Sequence, residues 1–225
     1  MKNQKLLISS FVAFFAAVIC IGCVMRIPLG PVPIVLQNML CILTAVLLGG
    51  FYGCLPTALF LVAGLIGIPV YSGGTSGIAV WLGPTGGFLP GYLLGAFISG
   101  LIAKKPSIEE KKFSWKLLVR LILAVTAGMI ILYVPGVIHF TRWAIAADRV
   151  SADKSPFAYT MLACVIPYIP GDIIKIVITV AVALKLRPVL AQYLYNGCST
   201  DISTTSTTST TSTQTDTQND SSKQA

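Results

Sequence analysis

The sequence predicts an all-α, polytopic membrane protein of six transmembrane helices with both termini in the cytoplasm. Three observations carry that prediction. Of the 225 residues, 55% are hydrophobic and only 11% are charged, too few charges to coat a soluble globule of this size. The apolar residues fall in long blocks, not in the short alternating segments of a transmembrane β-barrel. The basic residues behind the formal charge of +8 stand at the ends of those blocks, where they set membrane orientation. They form no nucleic-acid footprint, and no nucleic-acid partner is expected. A spanning helix needs roughly 20 apolar residues to cross about 30 Å of hydrocarbon. The chain has room for six of these and none for a soluble catalytic domain besides.

The first block, Leu6 to Ile27, follows Lys2 and Lys5. It is long for a secretory signal core, and Cys20 occupies the place where a lipobox ending at Cys23 would carry Leu. It therefore reads as a retained span. Arg26-Ile-Pro-Leu-Gly-Pro-Val-Pro33 holds three prolines and cannot be helical throughout. Block two covers about Ile34 to Gly50 and block three about Cys54 to Val70, with a turn at Gly49, Gly50 and Gly53 between them. A glycine-rich loop, Ser72 to Gly87, leads into block four, Gly86 to Ala103. A basic stretch follows with Lys104, Lys105, Lys111, Lys112, Lys116 and Arg120, and block five runs from Leu117 to Pro135. After a mixed loop to Ser155, block six lies within Pro156 to Leu186, broken by Pro167 and Pro170. Residues 1–190 form the membrane domain on this reading. Residues 191–225 form a Ser/Thr-rich cytoplasmic tail with nothing to bury, expected to be disordered.

Charge sets the orientation. The inner segments hold Lys2, Lys5, the cluster at 104–120, Lys185 and Arg187. The outer ones hold Arg26, Arg142, Arg149 and Lys154, the last three accompanied by Asp148 and Asp153. That imbalance places the basic side in the cytoplasm of a cell membrane. The cysteines Cys20, Cys23, Cys41, Cys54, Cys164 and Cys198 read as packing thiols. Cys20-x-x-Cys23 lacks the second pair or the histidines of a zinc site, so no metal is expected.

Three irregular segments, 26–33, 72–87 and 136–158, fall on the outer side. Backbone of that kind cannot face lipid and must line a cavity, be buried, or reach water. The segment Pro167-Tyr168-Ile169-Pro170-Gly171-Asp172-Ile173-Ile174-Lys175 ends one helical piece and starts another near Gly171. Asp172 then lies in a first turn, with Lys175 on the same face. Ionisable groups at such depth point inward, and broken helices recur at transporter sites. The plainer reading is that Asp172 caps the helix while Lys175 snorkels. In Ser72-Gly-Gly-Thr-Ser-Gly77 and Trp81-Leu-Gly-Pro-Thr-Gly-Gly-Phe88, backbone amides could hold a carboxylate, or the glycines only turn the chain. Gly87-xxx-Gly91-xxx-Gly95 and Ala13-xxx-Ala17 are small-residue strips suited to close helix packing, first of all within this chain.

Arg26-Ile-Pro, Pro31-Val-Pro33 with Gln37, Gly83-Pro-Thr-Gly-Gly87 and Pro170-Gly-Asp-x-x-Lys175, in this order and spacing, resemble the BioY family. These are the biotin-specific S components of energy-coupling-factor (ECF) transporters, and the likeness covers about residues 6–187. It implies an S-component bundle that binds biotin at its outer face, with biotin as transported ligand and no cofactor. It also implies a transmembrane coupling subunit and two ATPase subunits as partners, besides membrane lipid. The chain has no P-loop of its own, and no enzyme activity is expected. By the same resemblance Ala13 and Ala17 contact the coupling subunit, and Asp172 and Lys175 contact the ureido ring. Asp172 would accept from the ring N–H groups and Lys175 would donate to its carbonyl. Trp81, Tyr71 and Phe88 are expected to enclose the fused rings. Amides near Gly86 and Gly87, or Arg26, are expected at the carboxylate, and Gln37 and Thr85 complete the substrate-binding set. The charged loop Ala147–Ser155 and the Ser/Thr tail depart from the family pattern. Three other readings stand beside this one, the last a helical membrane scaffold with no ligand. The first is an S component for another vitamin. The second is a rhomboid-like intramembrane serine protease built on Gly74-Thr75-Ser76-Gly77 and the lone histidine, His139.

Overall fold

In a medium without water every backbone N–H and C=O must find its partner within the chain, and the long apolar blocks accordingly fold as helices. The structure, a computed structural model, describes residues 2–22, 26–27, 34–111, 114–150 and 155–196. Helix α1 (Lys2–Ile21) leads to strands β1 (Arg26–Ile27) and β2 (Ile34–Val35), which pair antiparallel with Arg26 opposite Val35. The proline-rich segment between the strands, Pro31-Val-Pro33 included, lies outside the described residues. Helix α2 (Gln37–Leu48), a 3₁₀ turn (Gly50–Cys54) and α3 (Leu55–Leu65) follow. The glycine-rich loop carries a short helix, α4 (Ile78–Leu82), before α5 (Phe88–Ala103). Next come a 3₁₀ turn (Ile108–Lys111), α6 (Trp115–Ala146), α7 (Pro156–Cys164), a 3₁₀ turn (Ile166–Tyr168) and α8 (Ile169–Asn196).

Two helices run further than their prolines suggest. The expected end of block five at Pro135 is wrong: α6 passes through it for 32 residues in all, so residues 136–146 are helix and not outer loop. Proline removes one hydrogen bond, and that loss is tolerated here because Phe140 and Ala144 beyond it are both fully buried. Helix α8 likewise passes Pro188 and reaches Asn196. It begins at Ile169 rather than Gly171, with Pro170 in its first turn, where an N–H would lack a partner anyway. By length and composition α6 is the one described helix long and apolar enough to cross a membrane unaided; α2, α3 and α5 are shorter apolar helices.

The bundle closes most tightly between α5 and α6. A Cβ on Gly91 would strike the carbonyl oxygen of Leu132, and one on Gly95 would lie 2.6 Å from that of Gly128. Ser99, one turn further, donates to the Ala124 carbonyl at 2.9 Å. The strip Gly87-xxx-Gly91-xxx-Gly95 thus packs within the chain and extends to Ser99. Outward, α3, α6 and α8 present large apolar side chains, among them Val62, Ile130, Ile174 and Val177, more than half exposed.

Candidate functional site

The break between α7 and α8 turns the first residues of α8 into a cavity bounded by α2, α5, α6 and the glycine-rich loop. About 620 Å³ of atom-free space, its open mouth included, lies between walls formed by residues such as Val35, Tyr71, Phe88, Leu132 and Tyr168. Asp172 and Lys175 stand three residues apart on α8, both side chains turned inward at 7% and 9% exposure. Lys175 Nζ donates to Asp172 Oδ1 at 3.3 Å and to Asn38 Oδ1 on α2 at 3.1 Å. The hydroxyl of Tyr133, on α6, donates to Asp172 Oδ2. Asn38 Oδ1 also accepts from the Met39 N–H at 2.9 Å, which fixes the amide at the first turn of α2. Three helices therefore share one ion pair, charge-compensated and nearly dry.

The rest of the wall is apolar, and it is tied down from behind. Phe88 meets Tyr133 edge to face with ring centroids 6.0 Å apart. Gln37 Nε2 donates to the Val70 carbonyl at 2.7 Å, joining α2 to the start of the loop. Tyr71 donates to the Leu61 carbonyl at 2.6 Å and accepts from Trp81 Nε1 at 3.1 Å. Gly64 is glycine because the Tyr71 ring fills the space of its missing Cβ. His139 Nε2 lies 2.9 Å from the Gly83 carbonyl and pins the loop to α6.

A family model described as the BioY family matches residues 2–192. The chain belongs to the BioY family. The biotin transporter BioY of Thermotoga maritima is 36% identical over 179 residues, covering 77% of this chain and 91% of that one. The biotin transporter BioY of Rhodobacter capsulatus is 36% identical over 182 residues, covering 80% and 90%. Among solved structures, the S-component for biotin from an ECF-type ABC transporter superposes with a TM-score of 0.66 at 30% identity, covering 83% of this chain and 94% of that chain.

In this BioY-family chain the expected binding residues separate into groups. Asp172, Lys175, Gln37, Tyr71, Thr85 and Phe88 all line the cavity. Trp81, Gly86 and Gly87 stand outside its lining: Trp81 supports Tyr71 from the rear. The Gly86 N–H is engaged by the Gly83 carbonyl at 3.0 Å, and Gly87 lets α5 approach Pro135 and His139 of α6. The backbone of Arg26 is in β1, while its side chain lies outside the described residues. Ala13 and Ala17 are exposed on α1, opposite the buried face of Val12, Phe15, Ala16 and Ile19; the strip is not used for packing within this chain. No hydrogen bond joins Ser76 to His139 among the described residues.

Sequence reasoning missed Asn38 and Tyr133, and with them the cavity residues Tyr92, Cys164 and Ser72. Asn38 left a signal, a second amide beside Gln37 at the head of an apolar block, where an unpaired polar group would be expensive. Tyr133 left none, because its partner Asp172 is 39 residues away on another helix.

Proposed function

We propose that this chain binds biotin with high affinity and brings it across the cytoplasmic membrane as the substrate-specific subunit of an ECF-type transporter. It is a transporter subunit and not an enzyme. One observation carries the choice of ligand chemistry, the hydrogen-bonding capacity left over in the Asp172–Lys175 cluster. An ammonium has three N–H donors, and Lys175 spends two on Asp172 and Asn38. A carboxylate accepts about four bonds, and Asp172 accepts from Lys175 and Tyr133, one on each oxygen. One donor and two acceptor positions remain, side by side. A cyclic urea presents the complement, one carbonyl and two N–H groups. The apolar walls suit its fused rings, and Thr85 on the cavity wall, or Arg26, receives the carboxylate.

The membrane arrangement belongs to the same proposal. Six spans place both termini in the cytoplasm, the expected tail starting only after Asn196, beyond the described residues, since 191–196 belong to α8; the cavity opens to the outside. The shorter helices α2, α3 and α5 cross together with the turns that flank them. The exposed Ala13 and Ala17 offer a small-residue surface to a transmembrane coupling subunit, through which two ATPase subunits act.

Calorimetric titration of the purified protein in detergent tests the ligand. Biotin is expected to bind tightly, and an analogue methylated on a ureido nitrogen is not. Asp172→Asn and Lys175→Met are each expected to weaken biotin by at least about tenfold without loss of expression, because each leaves the other charge buried and unpaired. Unchanged affinity in both variants would remove the pair from the site. Binding of thiamine or riboflavin in place of biotin would assign the chain to another vitamin.

A further inference from the structure

The most heavily bonded side chain among the described residues lies about three turns along α8 from Lys175. Arg187 is fully buried. Its Nε donates to Glu110 Oε2 at 2.8 Å and its Nη2 to Glu110 Oε1 at 3.0 Å. Nη2 also reaches the carbonyls of Ala103 at 3.1 Å and Lys104 at 3.2 Å, and Nη1 donates to the carbonyl of Val46. The guanidinium thus joins α8 to the last turn of α2, the end of α5 and the turn Ile108–Lys111. Carbonyls at helix C-termini lack intrahelical partners and carry partial negative charge. A planar fork with five donors satisfies several of them together with a carboxylate, which a lysine cannot do.

Helices α2 and α8 are therefore pinned to one another twice. Near the cavity the pin is Asn38 with Lys175, and further along both helices it is Val46 with Arg187. The two pins are separated by about 12 Å along α2 and about 18 Å along α8 at the usual helical rise. A single pin through a flexible lysine leaves slack in the axial register of the two helices, and a second pin through a planar guanidinium held by Glu110 takes up that slack. We infer that Arg187, held by Glu110, is a positioning residue for ligand binding: it sets the register of α8 against α2 and so keeps Lys175 on Asn38. This rests on the assignment of Asp172 and Lys175 to the ligand site.

The test uses the full chain, purified in detergent and titrated with biotin. Arg187→Met is expected to weaken binding at least about fivefold in the otherwise native protein, yet less than about twofold in an Asn38→Ala background, where the pin it acts through is already gone. Arg187→Lys keeps the charge but not the fork and is expected to match Arg187→Met. Glu110→Gln, nearly isosteric, is expected to lose at least about threefold and carries the test if the Arg187 variants do not fold. Folded variants that bind as the native chain does, or that lose equally in both backgrounds, overturn the inference. A ligand-independent arm places nitroxide labels at positions 36 and 174, with the native cysteines replaced, and reads their separation by pulsed electron resonance. The distribution is expected to broaden in Glu110→Gln, and an unchanged distribution overturns the register argument whatever the chain binds. Failure of the native chain to bind biotin, with that broadening present, would overturn the ligand assignment alone.

Discussion

Each oxygen of Asp172 has one donor in the cavity wall, the Tyr133 hydroxyl on Oδ2 and the Lys175 ammonium on Oδ1. Removing one donor while leaving the shape intact isolates its contribution. Tyr133→Phe retains the ring that packs edge-on against Phe88 but deprives Oδ2 of its partner. A hydrogen bond to a charged group is worth about 1.5–3 kcal/mol, so biotin affinity is expected to fall about tenfold or more, read by calorimetry. Asn38→Ala leaves Lys175 with Asp172 alone, and a loss of about fivefold is expected in the same titration. A combined Asn38→Ala, Tyr133→Phe variant should lose less than the product of the two effects, since both act on one network. The Asp172–Lys175 half of this cluster was legible in the chain because both residues sit on one helix at a spacing that puts them on one face. The half supplied by α2 and α6 was not, because helical periodicity says which way a side chain points and nothing about which helix it meets.

At the level of elements, the glycine strip on α5 is a packing surface, as its spacing predicts, while nothing in the spacing names its counterpart. Gly128 on α6 proves to be that counterpart: a Cβ there would collide with Ser99 Oγ and lie 2.9 Å from the Gly95 carbonyl. Gly128→Val is expected to lower the thermal midpoint in detergent by several degrees or to prevent folding. Overpacking costs about 1–3 kcal/mol, and a backbone carbonyl cannot rotate away as a side chain would. Gly171→Ala, whose added Cβ meets nothing within 4 Å, is expected to leave the midpoint unchanged and serves as the control. The ends of α6 and α8 differ from the sequence expectation for a related reason. A proline is a local signal to stop, but Phe140 and Ala144 beyond Pro135, like Leu190, Ala191 and Leu194 beyond Pro188, are buried. Their burial favours continuing the helix over ending it.

On the scale of the whole molecule the two ends of the bundle do different work. The cavity takes up one end, the Arg187 cluster the other, and the exposed strip on α1 faces outward between them. Ala13→Trp is expected to leave biotin binding in detergent within about twofold of the native value, because α1 contributes nothing to the cavity lining. The same change is expected to reduce ATP-driven biotin uptake by cells at least about tenfold, because a large side chain on a small-residue strip blocks close helix approach. Equal uptake by the variant and native chains would remove Ala13 from the coupling surface. Thiol-reactive labelling of single cysteines placed near residues 107 and 149 reports orientation, with the first expected to be reached only from the cytoplasm and the second only from outside.

By itself, the sequence determined that this protein is helical, apolar in long blocks and charged asymmetrically at their ends. It also determined that one late helix offers a carboxylate and an ammonium on a single face. These are properties of composition and of period, and both are written along one dimension. The tertiary structure alone decided that Tyr133 and Asn38 complete that pair, that Trp81 and Gly86 serve as support and not as lining, and that Arg187 is buried rather than left at a membrane surface. Each of these depends on which helices become neighbours. That choice is made by the summed packing of small residues and carbonyl oxygens far apart in the chain, and no local window of residues contains it.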